Sequence, residues 1–110
     1  MLPTENYRSD APSRDEVDRV AGAVVLDFGT DWCGHCQAAQ PLVDAACAGF
    51  PQVRHLKIED GKGRPLGRSF KVTLWPTLIF LDAGVEVARL VRPADADVIR
   101  QALARIDHGN

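Results

Sequence analysis

The sequence predicts an α/β domain in which a four-stranded mixed sheet carries helices on both faces. The apolar run from Ala23 to Phe28 reads as a strand covered on both faces. A long alanine-rich helical pattern separates that run from a second strand, and strand, helix, strand favours a right-handed parallel unit. Two further apolar runs then meet at a tight turn, the pattern of an antiparallel hairpin.

Each element has a local reason. Residues 1–12 carry Pro3 and Pro12 and show no apolar period, so they read as an arm with little structure of its own, and residues 13–110 as one domain. Ser13 and Glu16 have the spacing of a capping box, and Val17, Val20 and Ala21 supply the apolar stripe of a short helix. After the strand at 23–28 and a loop at 29–32, residues 33–49 form a helix whose alanines suit close packing on a sheet. Pro41 should bend that helix rather than end it, because the alanine pattern resumes beyond it. Residues 53–58 alternate as a second strand, and 59–71 form a loop with a short helix starting at Pro65. Residues 78–81 and 85–91 are the hairpin strands, joined through Asp82, Ala83 and Gly84. From Asp95 onward, Val98, Ile99, Ala102, Leu103 and Ile106 recur at helical spacing.

Composition narrows the function. A chain of 110 residues, 45% hydrophobic and 25% charged, suits one globular core that needs no disulfide or metal staple. A net charge of -2 with no run of like charges argues against electrostatic capture of nucleic acid. No apolar stretch approaches the roughly 18 residues of a membrane span. The start of the chain lacks the basic and apolar regions of a secretory signal, so a cytoplasmic protein is expected. Thiols stay reduced in that compartment, and of the three cysteines two stand three positions apart, which suggests redox or metal chemistry.

That pair, Cys33-Gly34-His35-Cys36, lies where the first buried strand gives way to the long helix. Free backbone N–H groups and the positive end of the helix dipole favour a thiolate there. Cys33, at the helix edge, is the better nucleophile. Cys36, one turn further in, is spaced to close a disulfide and so to resolve whatever Cys33 captures. The competing reading is half of a zinc site completed from His35, His55 or His108, but no second Cys-x-x-Cys or His-x-x-x-His is present. Cys47, near Ala45, Ala46 and Phe50, reads as a small core hydrophobe. Asp27 is the anomaly of its strand, since a buried carboxylate is costly unless it takes a proton or finds partners.

Asp27-Phe28, Trp32-Cys33-Gly34-His35-Cys36, Pro41, Trp75-Pro76-Thr77 and Gly84 together resemble the thioredoxin family, over roughly residues 14–107. The motif is of the form found in protein disulfide isomerase domains, with His35 where thioredoxins have proline. The resemblance implies a thioredoxin fold and a thiol-disulfide oxidoreductase without metal or organic cofactor. In it Cys33 attacks, Cys36 resolves, Asp27 relays the proton of Cys36 through water, and Pro76 is a cis-proline beside the site. Trp32, Trp75, Pro76 and Arg92 are the expected substrate-binding residues. The implied partners are proteins with disulfides and, as electron donor, a thioredoxin reductase or glutathione, with the chain a monomer that binds neither nucleic acid nor membrane. A peptide-binding or chaperone module without turnover is the alternative.

His35 can donate a hydrogen bond or carry charge beside the Cys33 thiolate, which favours the dithiol and makes the disulfide more oxidising. With thioredoxin at about -270 mV and the isomerase at about -180 mV, an intermediate or isomerase-like potential is therefore expected. The chain also departs from the thioredoxin pattern. Gly29 stands where a second tryptophan is usual, Trp75 replaces a smaller aliphatic residue, Arg92 replaces a glycine, and His55 falls near the place of a lysine close to the buried aspartate.

Overall fold

The computed structural model describes residues 6–108. Its elements in chain order are α1 (Arg14–Asp18), β1 (Ala23–Gly29), α2 (Gly34–Ala48), β2 (Arg54–Glu59), α3 (Pro65–Ser69), β3 (Thr77–Asp82), β4 (Val85–Val91) and α4 (Ala96–Ile106). The strands form one mixed sheet in the order β2-β1-β3-β4. The β1 and β2 strands are parallel, joined by the crossover helix α2, while β3 is antiparallel to both β1 and β4.

The period of two along β1 divides its side chains between two cores. Val25 faces α2 and α4, where it packs with Val43, Ala46, Phe80, Ile99 and Leu103. Val24, Leu26 and Phe28 face the opposite side and pack with Val17 of α1 and Leu66 and Phe70 around α3. Asp27, two residues after Val25, therefore points toward α2. An apolar strand covered on both faces thus delivers one carboxylate to the underside of the helix that carries the cysteines.

Local chemistry fixes the ends. Both halves of the capping box form: the Glu16 amide donates to Ser13 Oγ at 3.1 Å and the Ser13 amide to Glu16 Oε1 at 2.8 Å. The helix α1 is shorter than the stripe through Ala21 suggests, because the chain leaves it at Arg19 and turns through Gly22 at φ 81°. The α2 helix runs through Pro41, which is exposed, and ends where the Gly49 amide donates to the Ala46 carbonyl. The α4 helix is capped by Asp95, whose side chain accepts from the Val98 amide at 3.0 Å. No helix among the described residues is long and apolar enough to cross a membrane.

The arm departs from expectation in one respect. Residues 1–5 lie outside the described residues, and 6–12 form no helix or strand of their own, but they are docked. The Arg8 amide donates to the Lys57 carbonyl at 3.0 Å and the Glu59 amide to the Arg8 carbonyl at 2.8 Å, a parallel bridge on the outer edge of β2. An edge strand has unpaired backbone groups, and the arm satisfies part of that row. Tyr7, next to the bridge, is buried against Cys33 and Cys36.

Candidate active site

Cys33 is the N-cap of α2, with φ and ψ of -81° and 120°. Its sulfur accepts the Cys36 backbone N–H at 3.3 Å, so an otherwise unpaired donor of the first turn points at it. Both sulfurs are buried, with Cys33 8% and Cys36 2% exposed. Burial, together with the hydrogen bond to Cys33, pushes the Cys36 thiol up to about 11. Cys36 is thus held as the thiol at neutral pH, while the helix start directs a backbone donor at the Cys33 sulfur.

Beneath Cys36 lies a polar cluster in an otherwise apolar layer. Asp27 is 4% exposed and has two partners: the Tyr7 hydroxyl donates to its Oδ1 at 2.9 Å, and His55 Nε2 stands 3.1 Å from its Oδ2. His55 arrives from β2, where Val25 is its neighbour on β1 and Asp27 pairs with Lys57, so all three polar residues share the α2 face. Burial alone would push the His55 imidazole down, but hydrogen bonds to Asp27 and to Cys47 outweigh it and lift the group to about 9. The Tyr7 hydroxyl also meets the Cys36 sulfur. The Lys57 ammonium sits 4.4 Å from the centre of the Tyr7 ring, a cation–π contact.

Gly29 explains why a tyrosine from the arm can enter. A Cβ at Gly29 would stand 2.5 Å from the Cys36 sulfur and 2.8 Å from the Tyr7 oxygen, so the missing side chain is the space the hydroxyl occupies. The arm is pinned there by the Tyr7 amide, which donates to Asp31 Oδ1 at 2.9 Å.

Above the sulfurs the surface is aromatic and open. Trp32 is 75% exposed and meets Trp75 edge to face, with ring centres 5.7 Å apart. Trp75 is held by its indole N–H, which donates to the buried Asp60 at 2.9 Å. The Trp75–Pro76 peptide is cis. Arg92, at φ 50°, donates from Nε to the Trp75 carbonyl at 2.8 Å, and its amide donates to the Pro76 carbonyl. His35 and Arg92 line one surface groove of about 270 Å³ with Leu42 and Pro93.

The residues expected at the site therefore lie near the motif, in two layers, whereas His108 pairs with Asp82 and Gly84 packs on Asp18. Trp32, His35, Trp75, Pro76 and Arg92 frame the exposed side of Cys33, whereas Asp27 lies beneath Cys36. Cys47 packs against the α2 and α4 core as a hydrophobe would, and its thiol also meets His55. Among the described residues no three His, Cys, Asp or Glu side chains converge as a metal site. Tyr7 was missed. The available signal was Gly29 in place of a bulky side chain next to the chain's only tyrosine in an unassigned arm.

Two neighbouring thiols at a helix start, the second buried over a carboxylate and held protonated, define a protein of the dithiol-exchange class. Comparison with known proteins agrees. The family model described as Thioredoxin matches residues 7–105. A thioredoxin of Chlamydia trachomatis is 35% identical over 86 residues, covering 77% of this chain and 83% of that protein. One from Chlamydia pneumoniae is 33% identical over 99 residues, covering 90% and 89%. The solved structure of reduced thioredoxin 2 from Pseudomonas aeruginosa is 55% identical and superposes with a TM-score of 0.86, covering 96% of this chain and 98% of that one. The chain belongs to the thioredoxin family and is a thiol-disulfide oxidoreductase.

Proposed function

We propose that Cys33 is the attacking thiol and Cys36 the resolving one. The Cys33 thiolate attacks one sulfur of a substrate disulfide, that S–S bond breaks, and the departing thiolate takes a proton from water. A mixed disulfide between Cys33 and the substrate remains. Cys36 then gives up its proton, with Asp27 as acceptor, and attacks the Cys33 sulfur. The Cys33–Cys36 disulfide forms, the second substrate thiolate leaves, and the substrate has gained two electrons. The observation that carries this assignment is the asymmetry of the pair, with the Cys36 amide aimed at the Cys33 sulfur and the Cys36 thiol held protonated.

The groove residues give the substrate side. An extended peptide laid along Pro76 would meet Trp32 and Trp75 as apolar walls. Arg92 and His35 favour acidic neighbours of the substrate cysteine. Disulfide-bearing proteins as substrates and a reductase as electron donor accord with membership of the family; glutathione as donor, action as a monomer and a cytoplasmic site are further parts of the proposal.

Insulin reduction driven by dithiothreitol tests the assignment. C33S should abolish the rate enhancement, and reduced C36S mixed with insulin in the absence of dithiothreitol should form a covalent adduct that dithiothreitol then releases. A C33S protein that still accelerates insulin reduction would overturn the assignment. A wild-type protein that binds insulin chains without accelerating their reduction would favour the peptide-binding module.

A further inference from the structure

One partner of Asp27 is not on any of the four strands. The Tyr7 hydroxyl lies between the Asp27 carboxylate and the Cys36 sulfur, donating to Oδ1 at 2.9 Å on one side and meeting the thiol on the other. Both contacts are buried, and Tyr7 is 9% exposed. The ring is fixed by three independent features: the bridge of Arg8 to β2, the Tyr7 amide on Asp31, and the Lys57 ammonium on the ring face. A hydroxyl held this way has one proton to donate and lone pairs to accept another, which is what a two-way connection requires.

We propose that Tyr7 is a proton relay for the resolving step, so that the N-terminal arm completes the active site. This rests on the reading of Asp27 as the final acceptor. As Cys36 attacks the mixed disulfide, its S–H proton passes to the Tyr7 oxygen while the Tyr7 O–H proton passes to Asp27 Oδ1. One proton moves in net from sulfur to carboxylate, and the tyrosine is neutral before and after. The Cys36 sulfur donates its electron pair to the Cys33 sulfur, and the bond from Cys33 to the substrate sulfur breaks with its pair on the leaving thiolate. No oxidant beyond the substrate disulfide is needed.

Several features support a relay over a space-filling role. Burial, with the charge of Asp27 and the nearness of Cys36, raises the Tyr7 phenol far above its ordinary value, so tyrosinate is inaccessible and a proton can pass only if one arrives as one leaves. Gly29 leaves no room for a side chain between the sulfur and the hydroxyl. The other ionisable groups around the pair are Cys33 at the start of α2, Asp44 and Cys47 further along it, and His55 and Lys57 on β2. Asp44 is pushed up by burial, and the others set the field in which Asp27 takes the proton without lying between it and Cys36.

Stopped-flow reaction of the reduced protein with the chromogenic disulfide dithiobis-nitrobenzoate separates the steps. The first nitrothiolate reports attack by Cys33, and the second reports attack by Cys36. Y7F keeps the ring and removes only the hydroxyl. It should lower the ratio of second to first rate by about tenfold or more at neutral pH. The second rate in Y7F should also climb in proportion to hydroxide, because only spontaneously ionised Cys36 then attacks. D27N should lower the same ratio. If D27N slows the second release and Y7F leaves its rate and pH profile as in the wild type, Asp27 remains the acceptor and the tyrosine relay is overturned. If neither variant changes it, both readings fall. Should Y7F not fold, a proton inventory on the unaltered protein in mixtures of light and heavy water decides. A curved dependence of the second rate, from two protons in flight, supports the relay, and a linear one overturns it.

Discussion

His35 sits between the two sulfurs in sequence, on the exposed side of the first turn of α2, and shares a groove with Arg92. A donor to the Cys33 thiolate stabilises the reduced protein relative to the disulfide, and an imidazole within the motif can supply one. Replacing it by proline removes the donor. We expect H35P to lower the reduction potential by roughly 30 mV or more, equivalent to about 1.4 kcal/mol for the two-electron couple. Equilibration with glutathione buffers, read by alkylation of the free thiols, measures it. An unchanged potential would mean that His35 makes no contact with the thiolate in solution. The residues of this exposed layer were legible in the sequence because each stands in or beside a motif. Tyr7 was not, because its role follows from a vacancy two dozen residues away at Gly29, and a linear motif does not record a vacancy.

At the scale of elements, the hairpin shows how a turn can brace the sheet. Ala83 and Gly84 both have positive φ, 50° and 83°, which is the twist a two-residue link between antiparallel strands requires. The turn is packed as well as bent. The Ala83 amide donates to the Gly22 carbonyl at 2.9 Å, and the Gly84 α-carbon lies so close to the Asp18 backbone that a Cβ would collide with it. The end of α1 and the tip of the hairpin thereby lock together on the side of the sheet away from the cysteines. G84A meets both obstacles, the left-handed backbone and the collision, and should destabilise the fold by roughly 2–4 kcal/mol. Urea unfolding with an unchanged slope would measure it, and a loss under about 0.5 kcal/mol would show that the turn can shift away from α1. Elements of this kind were readable in advance. Period two marked β1, period 3.6 marked α4, and Ser13 and Asp95 announced helix starts. The arm alone escaped, since a single bridge through Arg8 has no periodicity to reveal it, and its order comes from the open edge of β2.

At the scale of the whole molecule, polar residues form one line beneath α2 from the active site: the buried Cys36, Tyr7 and Asp27, then the half-buried His55 and Cys47. Such a line within an apolar layer couples stability to pH. The His55 imidazole is lifted to about 9 in the fold, against about 6.5 in an unfolded chain. Between those values the folded protein holds a proton that the unfolded chain has lost, so stability must fall as pH rises. The contribution of His55 is complete below about pH 6.5 and gone above about pH 9. Cys36 extends the trend, because its thiol is held up to about 11 and the unfolded chain ionises first. The melting temperature should therefore decline from about pH 6.5 upward, with His55 accounting for on the order of 3 kcal/mol by pH 9. For a domain of this size that corresponds to roughly 10 °C. H55Q should lower stability at pH 6 and flatten the decline between pH 6.5 and 9, while leaving the fall due to Cys36 beyond it. A variant whose melting temperature tracks the wild type across that window would mean that the ion pair of His55 and Asp27 is not what holds the proton. The same measurement on Y7F should keep the decline between pH 6.5 and 9, because the tyrosine joins Asp27 to the thiol and His55 holds its proton from the other side of the carboxylate.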